Sequence, residues 1–235
     1  MCGRFAQPRS AEELARIFHA RPAIDLPGDR FNVAPTDEVA AVVEQHGERV
    51  VDSFRWGLVP FYAADRREAA RLINARSETA ETSPAYRTSF RHRRCIVPAD
   101  AFYEWRRERD PATGRVRRSH PFAIRRADGQ PLALAGLWAV WRNPDTAERL
   151  YTCTILTGAP NELLEPIHDR MPIVLELADW DAWLAAETSI LELRPMLRPL
   201  PAEELAMHPV SPAVNNVRNQ GPDLLVPIGP AVSWA

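Results

Sequence analysis

The sequence predicts an α+β fold, a single domain over residues 1–235 with a curved, mainly antiparallel sheet and peripheral helices. Three observations predict it. A chain of 235 residues suits one large domain. Short apolar runs bounded by turn residues recur along it, as strands do. Helical signals are few and confined to short stretches. Neither an internal repeat nor a low-complexity linker interrupts the pattern.

The elements follow in order. Ser10 with Glu13 forms a capping box that opens a helix over Ser10–His19. Val39–Val43 and Arg49–Trp56 read as paired strands around a turn at His46–Glu48. Asp65–Leu72 reads as helical. Arg94–Pro98 and Phe102–Trp105 read as short strands, and Arg109–Ser119 as an exposed loop. Phe122–Arg126 and Pro131–Trp138 flank Asp128-Gly129, a hairpin signal. Leu150–Thr157 is a further strand, Asn161–Ile167 a short helix, Met171–Glu176 a strand and Ala178–Ala186 an amphipathic helix. The 22 prolines, dense after Arg194, favour irregular loops in the C-terminal part.

Composition excludes some classes. Hydrophobic residues at 46% and charged residues at 26% are ordinary for a globular chain. No run approaches the roughly 18 apolar residues that span a bilayer, and MCGRFAQPRS has no apolar signal region. Cys2, Cys95 and Cys153 are too few and too scattered for a disulfide framework or a zinc site, so no metal and no cofactor is expected. A reducing cytoplasm is the simplest setting.

The formal net charge of -2 argues against nucleic acid, but its distribution argues for it. All 29 basic residues are arginine. From Arg66 to Arg126 there are 16 Arg against 7 Asp plus Glu, a surplus of 9, and the remainder of the chain is acidic. Such asymmetry makes a basic stripe on an acidic body. The competing reading is a coding preference for arginine, with charges spread over solvated faces.

Without lysine, any imine chemistry must use the α-amine. Cys2 follows the initiator Met, which is trimmed when the next residue is small. The product is a 1,2-aminothiol. An α-amine with a pKa near ~8 is neutral about one time in ten at pH 7, against about once in 2,500 for a lysine near ~10.4. The amine forms an imine with an aldehyde, and the adjacent thiol closes a thiazolidine ring. Gly3 permits close approach of a backbone or a substrate. Alone, Cys2 reads equally as a small residue at a frayed terminus. Amidotransferases with an N-terminal nucleophile also open Met-Cys-Gly, but Arg4-Phe5-Ala6 departs from their aliphatic-then-Gly continuation.

Seven segments occur in one order: MCGRFA at the start, RFNVAPT at Arg30–Thr36, RWGLVP at Arg55–Pro60, INARSET at Ile73–Thr79, RRCIVPADAFYEW at Arg93–Trp105, LTGAPNELLEPIHDRMPIVL at Leu156–Leu175 and HPVSPAVNNVRN at His208–Asn219. Together they resemble the SOS response-associated peptidase (SRAP) family, the abasic site processing proteins, over nearly the whole chain. The resemblance implies a bifurcated, barrel-like sheet. It implies binding of single-stranded DNA and a covalent link to abasic sites that shields the lesion, and it places the active positions on Cys2, Asn74, Glu104 and His168.

On this reading His168 opens the sugar hemiacetal and expels water from the carbinolamine; its plainer role is a cap on the preceding helix. Glu104, between Tyr103 and Trp105, has a desolvated carboxyl that deprotonates the α-amine or, by taking a sugar proton, gives lyase activity. Its plainer role is an outward residue on an alternating strand. Asn74 holds the sugar hydroxyl or the Cys2 backbone, or else caps a helix after Leu72. Arg4, Arg76 and Arg170 hold phosphates, or pair as Arg76 with Glu78 and Arg170 with Asp169. Trp105, Tyr62 and Pro35 stack on or wedge against bases, with Tyr62 standing where the family usually has Trp; Trp56 and Trp138 suit the core. Thr157 bonds a phosphate or ends its strand.

The expected partner is single-stranded DNA containing abasic sites, read without base specificity, by a monomer that binds no membrane and joins the nucleoid when on DNA. Two other functions use the same residues: a cysteine peptidase with Cys2 as nucleophile, including removal of Met1 by the chain itself, and a non-covalent single-stranded DNA binder.

Overall fold

The computed structural model describes residues 2–24 and 28–233. Among them are fourteen strands: β1 (Phe5–Gln7), β2 (Arg21–Pro22), β3 (Arg30–Val33), β4 (Glu38–Gln45), β5 (Glu48–Trp56), β6 (Asn74–Arg76), β7 (Arg94–Ala99), β8 (Ala101–Arg109), β9 (Val116–Arg126), β10 (Leu132–Arg142), β11 (Arg149–Gly158), β12 (Met171–Pro172), β13 (Leu205–Pro209) and β14 (Val232–Ser233). The α-helices among the described residues are short: α1 (Ala11–Ile17), α2 (Ser77–Ala80), α3 (Arg87–His92), α4 (Trp180–Leu184) and α5 (Ile190–Leu193).

The strands form two sheets. In one, β4, β5, β11, β10 and β7 close on themselves, because β5 pairs with both β4 and β11; β2 and β12 extend it. The closing contact is parallel, Thr152 opposite Arg55 and Cys153 opposite Trp56, while the other barrel pairs are antiparallel. Further along β11, β6 adds a second parallel pairing, Asn74 opposite Ile155 through Arg76 opposite Thr157. The other sheet is open, in the order β14-β13-β9-β8-β1-β3. This is the forked, barrel-like, sheet-dominated architecture expected.

Alternation explains the layers. On β4, Val39, Ala41 and Val43 enter the cluster with Phe5, Phe102 and Ile155, which joins barrel and open sheet. Ala40 and Val42 enter a second cluster with Phe18, Ile96 and Trp183 under the helices. A strand buried on both faces reads as a continuous apolar run, as β4 does. Gln7 stitches the sheets together: its Nε2 donates to Ala40 O (3.0 Å) and Pro98 O (2.8 Å), and its Oε1 accepts from Ala40 N.

The capping box forms, with Ser10 accepting from Glu13 N and Glu13 accepting from Ser10 N. His46 (φ 55°) and Gly47 (φ 81°) supply the two left-handed residues of a tight β4–β5 turn.

Several expectations fail for definable reasons. The Asp128-Gly129 turn forms, with Gly129 at φ 76°, yet it makes no hairpin: β9 stays in the open sheet and β10 joins the barrel between β7 and β11. Arg109–Ser119 is mostly ladder, since β8 runs to Arg109 and β9 starts at Val116. Asn161–Ile167 makes turns only, and Pro166 supplies no N–H to extend them. Met171–Glu176 pairs only at Met171–Pro172 and by a bridge between Val174 and Leu134. The stretch 65–72 is a 3-10 helix over Arg66–Arg71, and 178–186 splits into a 3-10 turn at Leu177–Asp179 and α4.

Candidate active site

Cys2 lies at the fork where the open sheet leaves the barrel. Phe5 pairs with Phe102, and Tyr103 N donates to Arg4 O at 2.9 Å. The same antiparallel register carried back along the chain lays Cys2 and Gly3 beside Glu104 and Trp105. Asn74, at the head of β6, reaches across from the barrel and donates from Nδ2 to Cys2 O at 2.8 Å. Its Oδ1 is buried with no hydrogen-bond partner among the described residues. Tyr86 donates to Asn74 O at 3.2 Å, and burial pushes its phenol up to about 12, so it stays a donor. Asn74 therefore begins a strand; it caps no helix.

Cys2 is fully buried. Burial above all, then the charge of Glu104, pushes its thiol well above the usual range, against a backbone N–H of Arg4 that favours the thiolate. Met1, whose removal the aminothiol reading requires, lies outside the described residues.

Glu104 is 4% exposed, opposite Phe122 in the β8–β9 ladder, so it is not an outward residue. Burial raises its carboxyl pKa; Asp169 adds to the rise and Arg107 opposes it.

His168 ends the turns that start at Asn161. Asn161 Oδ1 accepts from Leu164 N at 3.1 Å, its Nδ2 donates to Leu200 O at 2.8 Å, and His168 N donates to Leu164 O at 2.9 Å. Its Nδ1 lies 3.0 Å from Arg170 N, which donates to it, and 2.8 Å from Asp169 Oδ1, which needs a proton on it. The first contact governs near neutral pH: burial, and then Arg107, lowers the His168 pKa more than exposed Asp169 raises it. The neutral ring then carries its proton on Nε2.

The arginines differ. Arg4 donates from NH1 to Asn32 Oδ1 (2.8 Å) and Val214 O (3.0 Å), tying the start of β1 to the loop after β13. Buried Asn32 donates in turn to Val214 O, Asn216 O and Asn219 O. Arg170 pairs bidentately with Glu78, at 2.7 and 2.8 Å, and not with Asp169. Its NH2 also bonds Thr157 O, and its Nε is buried without a partner. Arg76 is exposed and adds to the positive field on Glu78.

Thr157 corrects one expectation. It is fully buried and its hydroxyl donates to Ala75 O, so it supports β6 and Arg170 where a phosphate contact was expected. Tyr62, 54% exposed, makes an edge contact with Phe61, itself 67% exposed. Trp105 is half-buried and donates to Asn215 Oδ1 at 2.7 Å. Pro35 is half-buried, whereas Trp56 is in the core with Trp138 packed against it.

Sequence reasoning missed Arg107, whose charge acts on both Glu104 and His168, and Glu78, which holds Arg170. The run of arginines on β8 was the available signal. Among the described residues no helix is long and apolar enough to cross a membrane.

A family model described as SOS response associated peptidase (SRAP) matches residues 1–217. The abasic site processing protein YoqW of Bacillus subtilis is 36% identical over 232 residues, 96% of this chain and 99% of that one. The abasic site processing protein YedK of Escherichia coli is 36% identical over 236 residues, 97% of this chain and 100% of that one. A crystal structure of a Bacteroides thetaiotaomicron protein, 22% identical, shares the fold with a TM-score of 0.85 over 96% of this chain and 99% of that one.

Proposed function

The chain belongs to the SRAP family, and from that premise we propose that it processes abasic sites in single-stranded DNA by becoming covalently attached to them through Cys2. The observation that carries the reading is the hydrogen bond from Asn74 to Cys2 O, beside a buried carboxyl and a neutral imidazole. It anchors residue 2 by its carbonyl and leaves nitrogen and sulfur for chemistry.

The steps balance as follows. Met1 is removed and Cys2 begins the chain. The Nε2–H of His168 hydrogen-bonds the ring oxygen of the closed sugar and helps it open to the aldehyde. The α-amine adds to the aldehyde carbon, and the carbinolamine loses water to an imine. The Cys2 sulfur then adds to the same carbon while its proton passes to Glu104, and the nitrogen takes up a proton; a thiazolidine results. A thiol kept protonated by burial suits this order, amine first and sulfur second. It suits a peptidase less, because a peptidase attacks first with thiolate. Asn74 Oδ1 has an acceptor to offer the new amine or a sugar hydroxyl. Removal of a sugar proton by Glu104 from the imine would break the strand, a lyase side reaction. Self-removal of Met1 uses the same groups.

Arg4, Arg76 and Arg170 are assigned to flanking phosphates, and Tyr62, Trp105 and Pro35 to neighbouring bases. Phosphate contact by Arg170 replaces Glu78. The whole chain acts as one SRAP-like domain and a monomer, in the cytoplasm and on the nucleoid.

Mass spectrometry tests the proposal. Full-length protein is incubated with single-stranded DNA bearing one abasic site, then digested. The expected N-terminal peptide begins at Cys2 and carries the sugar with loss of one water. Active protein that keeps Met1, or a sugar mass on any other peptide, overturns it.

A further inference from the structure

The β8–β9 hairpin is longer than the open sheet requires. Trp105 opposite Pro121 is the last pair with a layer behind it. Beyond it, residues 106–109 and 111–119 are all exposed. A two-stranded ribbon with no packed face is marginal by itself. This one is nonetheless well specified at its tip. Asp110 Oδ1 accepts from Ala112 N and Thr113 N, both at 2.9 Å, Asp110 N donates to Arg115 O at 2.8 Å, and Gly114 takes φ 67°.

Six arginines stand on this arm, Arg106, Arg107, Arg109, Arg115, Arg117 and Arg118, against Glu108 and Asp110. Both carboxylates are engaged inside the arm, Asp110 by Arg117 and Glu108 by His120. Ladder alternation sets Arg106 and Arg118 on one face and Arg107, with Trp105, on the other. At the root, Arg106 lies over the Phe122 ring at 5.3 Å, in a cleft of about 200 Å³ that also meets Pro166 and Ile167, the residues before His168.

We infer that this arm is a second DNA contact, which enters a groove of duplex DNA beside the lesion-bearing single strand and holds phosphates on both groove walls. The inference rests on the DNA reading proposed above. Arginine forks match phosphate oxygens. Arginines on both faces of a ribbon match two rows of phosphates; a single strand offers one row. A major groove about 12 Å wide admits a two-stranded ribbon. The arm extends on the order of 15 Å from Trp105, enough to meet several base-pair steps. Its root abuts the turn that carries His168, so a duplex held there begins where the lesion strand leaves the site. Contact through phosphates implies no sequence preference.

Fluorescence anisotropy on the full chain tests this. One probe is a single strand with a tetrahydrofuran abasic analogue, which has no aldehyde. The other is the same strand made duplex up to one side of the lesion, each side in turn. Two variants are compared with the parent: Arg115→Gln with Arg118→Gln, and an arm in which residues 109–117 become Asn-Gly, a two-residue turn joining Glu108 to Arg118. Arg107 is kept in both. The parent is expected to bind one part-duplex probe about tenfold more tightly than the single strand. Both variants lose that preference, and the salt slope on the part-duplex probe falls by about 2 for the double substitution, roughly one per phosphate contact. Adduct yield on a single-stranded abasic strand stays at the parental level. Equal parental binding to both probes overturns the inference, as does a preference that survives in either variant or an equal loss on both probes. Failure of the parent to form any adduct sinks the proposed function instead, while the part-duplex preference is still read from anisotropy.

Discussion

In the barrel wall, buried polar groups are consumed by the fold. Arg94 is 2% exposed and donates to four carbonyls, those of Trp183 (2.6 Å), Phe90 (2.8 Å), Arg91 (2.6 Å) and Ala185. Thr152 accepts from Val59 N and donates to Ala139 O, and Trp183 Nε1 donates to Cys95 O. Thr154 Oγ1 is the exception. At the fork between barrel and open sheet the treatment reverses. Asn74 Oδ1 and Arg170 Nε are buried without partners among the described residues, and Glu104 is a buried carboxyl with a raised pKa. The same chain thus builds saturated polar sites where it needs rigidity and unsaturated ones where two sheets diverge. An unsatisfied buried group costs about 1–3 kcal/mol, which is tolerable beside a barrel that holds its flanks in place. The contrast identifies the fork as the place of chemistry more sharply than any single residue does.

Four substitutions probe that contrast. Cys2→Ala at the fork should abolish the denaturant-resistant DNA complex while the protein stays folded; a denaturing gel that still shows a full-strength adduct would reassign the nucleophile. Glu104→Gln should slow adduct formation by about 10² to 10⁴-fold, the usual range for a general acid-base group, read from quenched time courses. It should also stabilise the fold at neutral pH. The sign follows from linkage: a carboxyl whose folded pKa is raised binds its proton more readily in the folded state, so stability falls as pH rises from the ordinary carboxylate value through the raised one. The unfolding midpoints of parent and Glu104→Gln should therefore coincide in acid and separate toward neutrality, with the variant higher. Midpoints that separate the other way would place a stabilising charge at Glu104.

Arg94→Met tests the wall. It strips donors from four carbonyls, each orphaned acceptor costing about 1–3 kcal/mol, so urea unfolding should register a loss of at least about 3 kcal/mol. Adduct formation per folded molecule should stay unchanged, and a loss of chemistry without a loss of stability would erase the division between the two regions. The smallest effect belongs to Glu78→Gln. It releases Arg170 from a half-exposed ion pair of the kind worth about 0.2–1 kcal/mol. If Arg170 takes a phosphate, single-stranded DNA binding should tighten, by up to about fivefold; weaker binding would make the pair a structural clasp.

The frame was more legible in the sequence than the site. α1 was readable because Ser10 and Glu13 solve its N-terminus locally, and β4 with β5 because a left-handed His46-Gly47 turn joins two apolar runs. The Asp128-Gly129 turn was readable, but the destination of β10 was not, since which strand edge receives it is decided by Ala99 and Cys95 of β7 and not by the turn. The arm was misread because its strands lack the apolar face that marks a strand. At the site, Cys2, Asn74, Glu104 and His168 are spread along the chain with no common period, so only the resemblance grouped them. The burial of Glu104 was foreseeable from Tyr103 and Trp105. The part played by Arg107 was not, because it depends on the turn at His168 folding back against β8.

The barrel closes through β11, whose Thr152 and Ile155 meet Arg55 and Asn74 from far earlier in the chain. A ribosome adds about 5–20 residues per second, so roughly 8–30 seconds pass between the synthesis of Cys2 and that of β11. During that interval Asn74 has no β11 to align it and Cys2 has no cover. A residue sealed in the finished fold is thus open to processing enzymes while the chain is nascent, and protein trimmed late should be the less reactive.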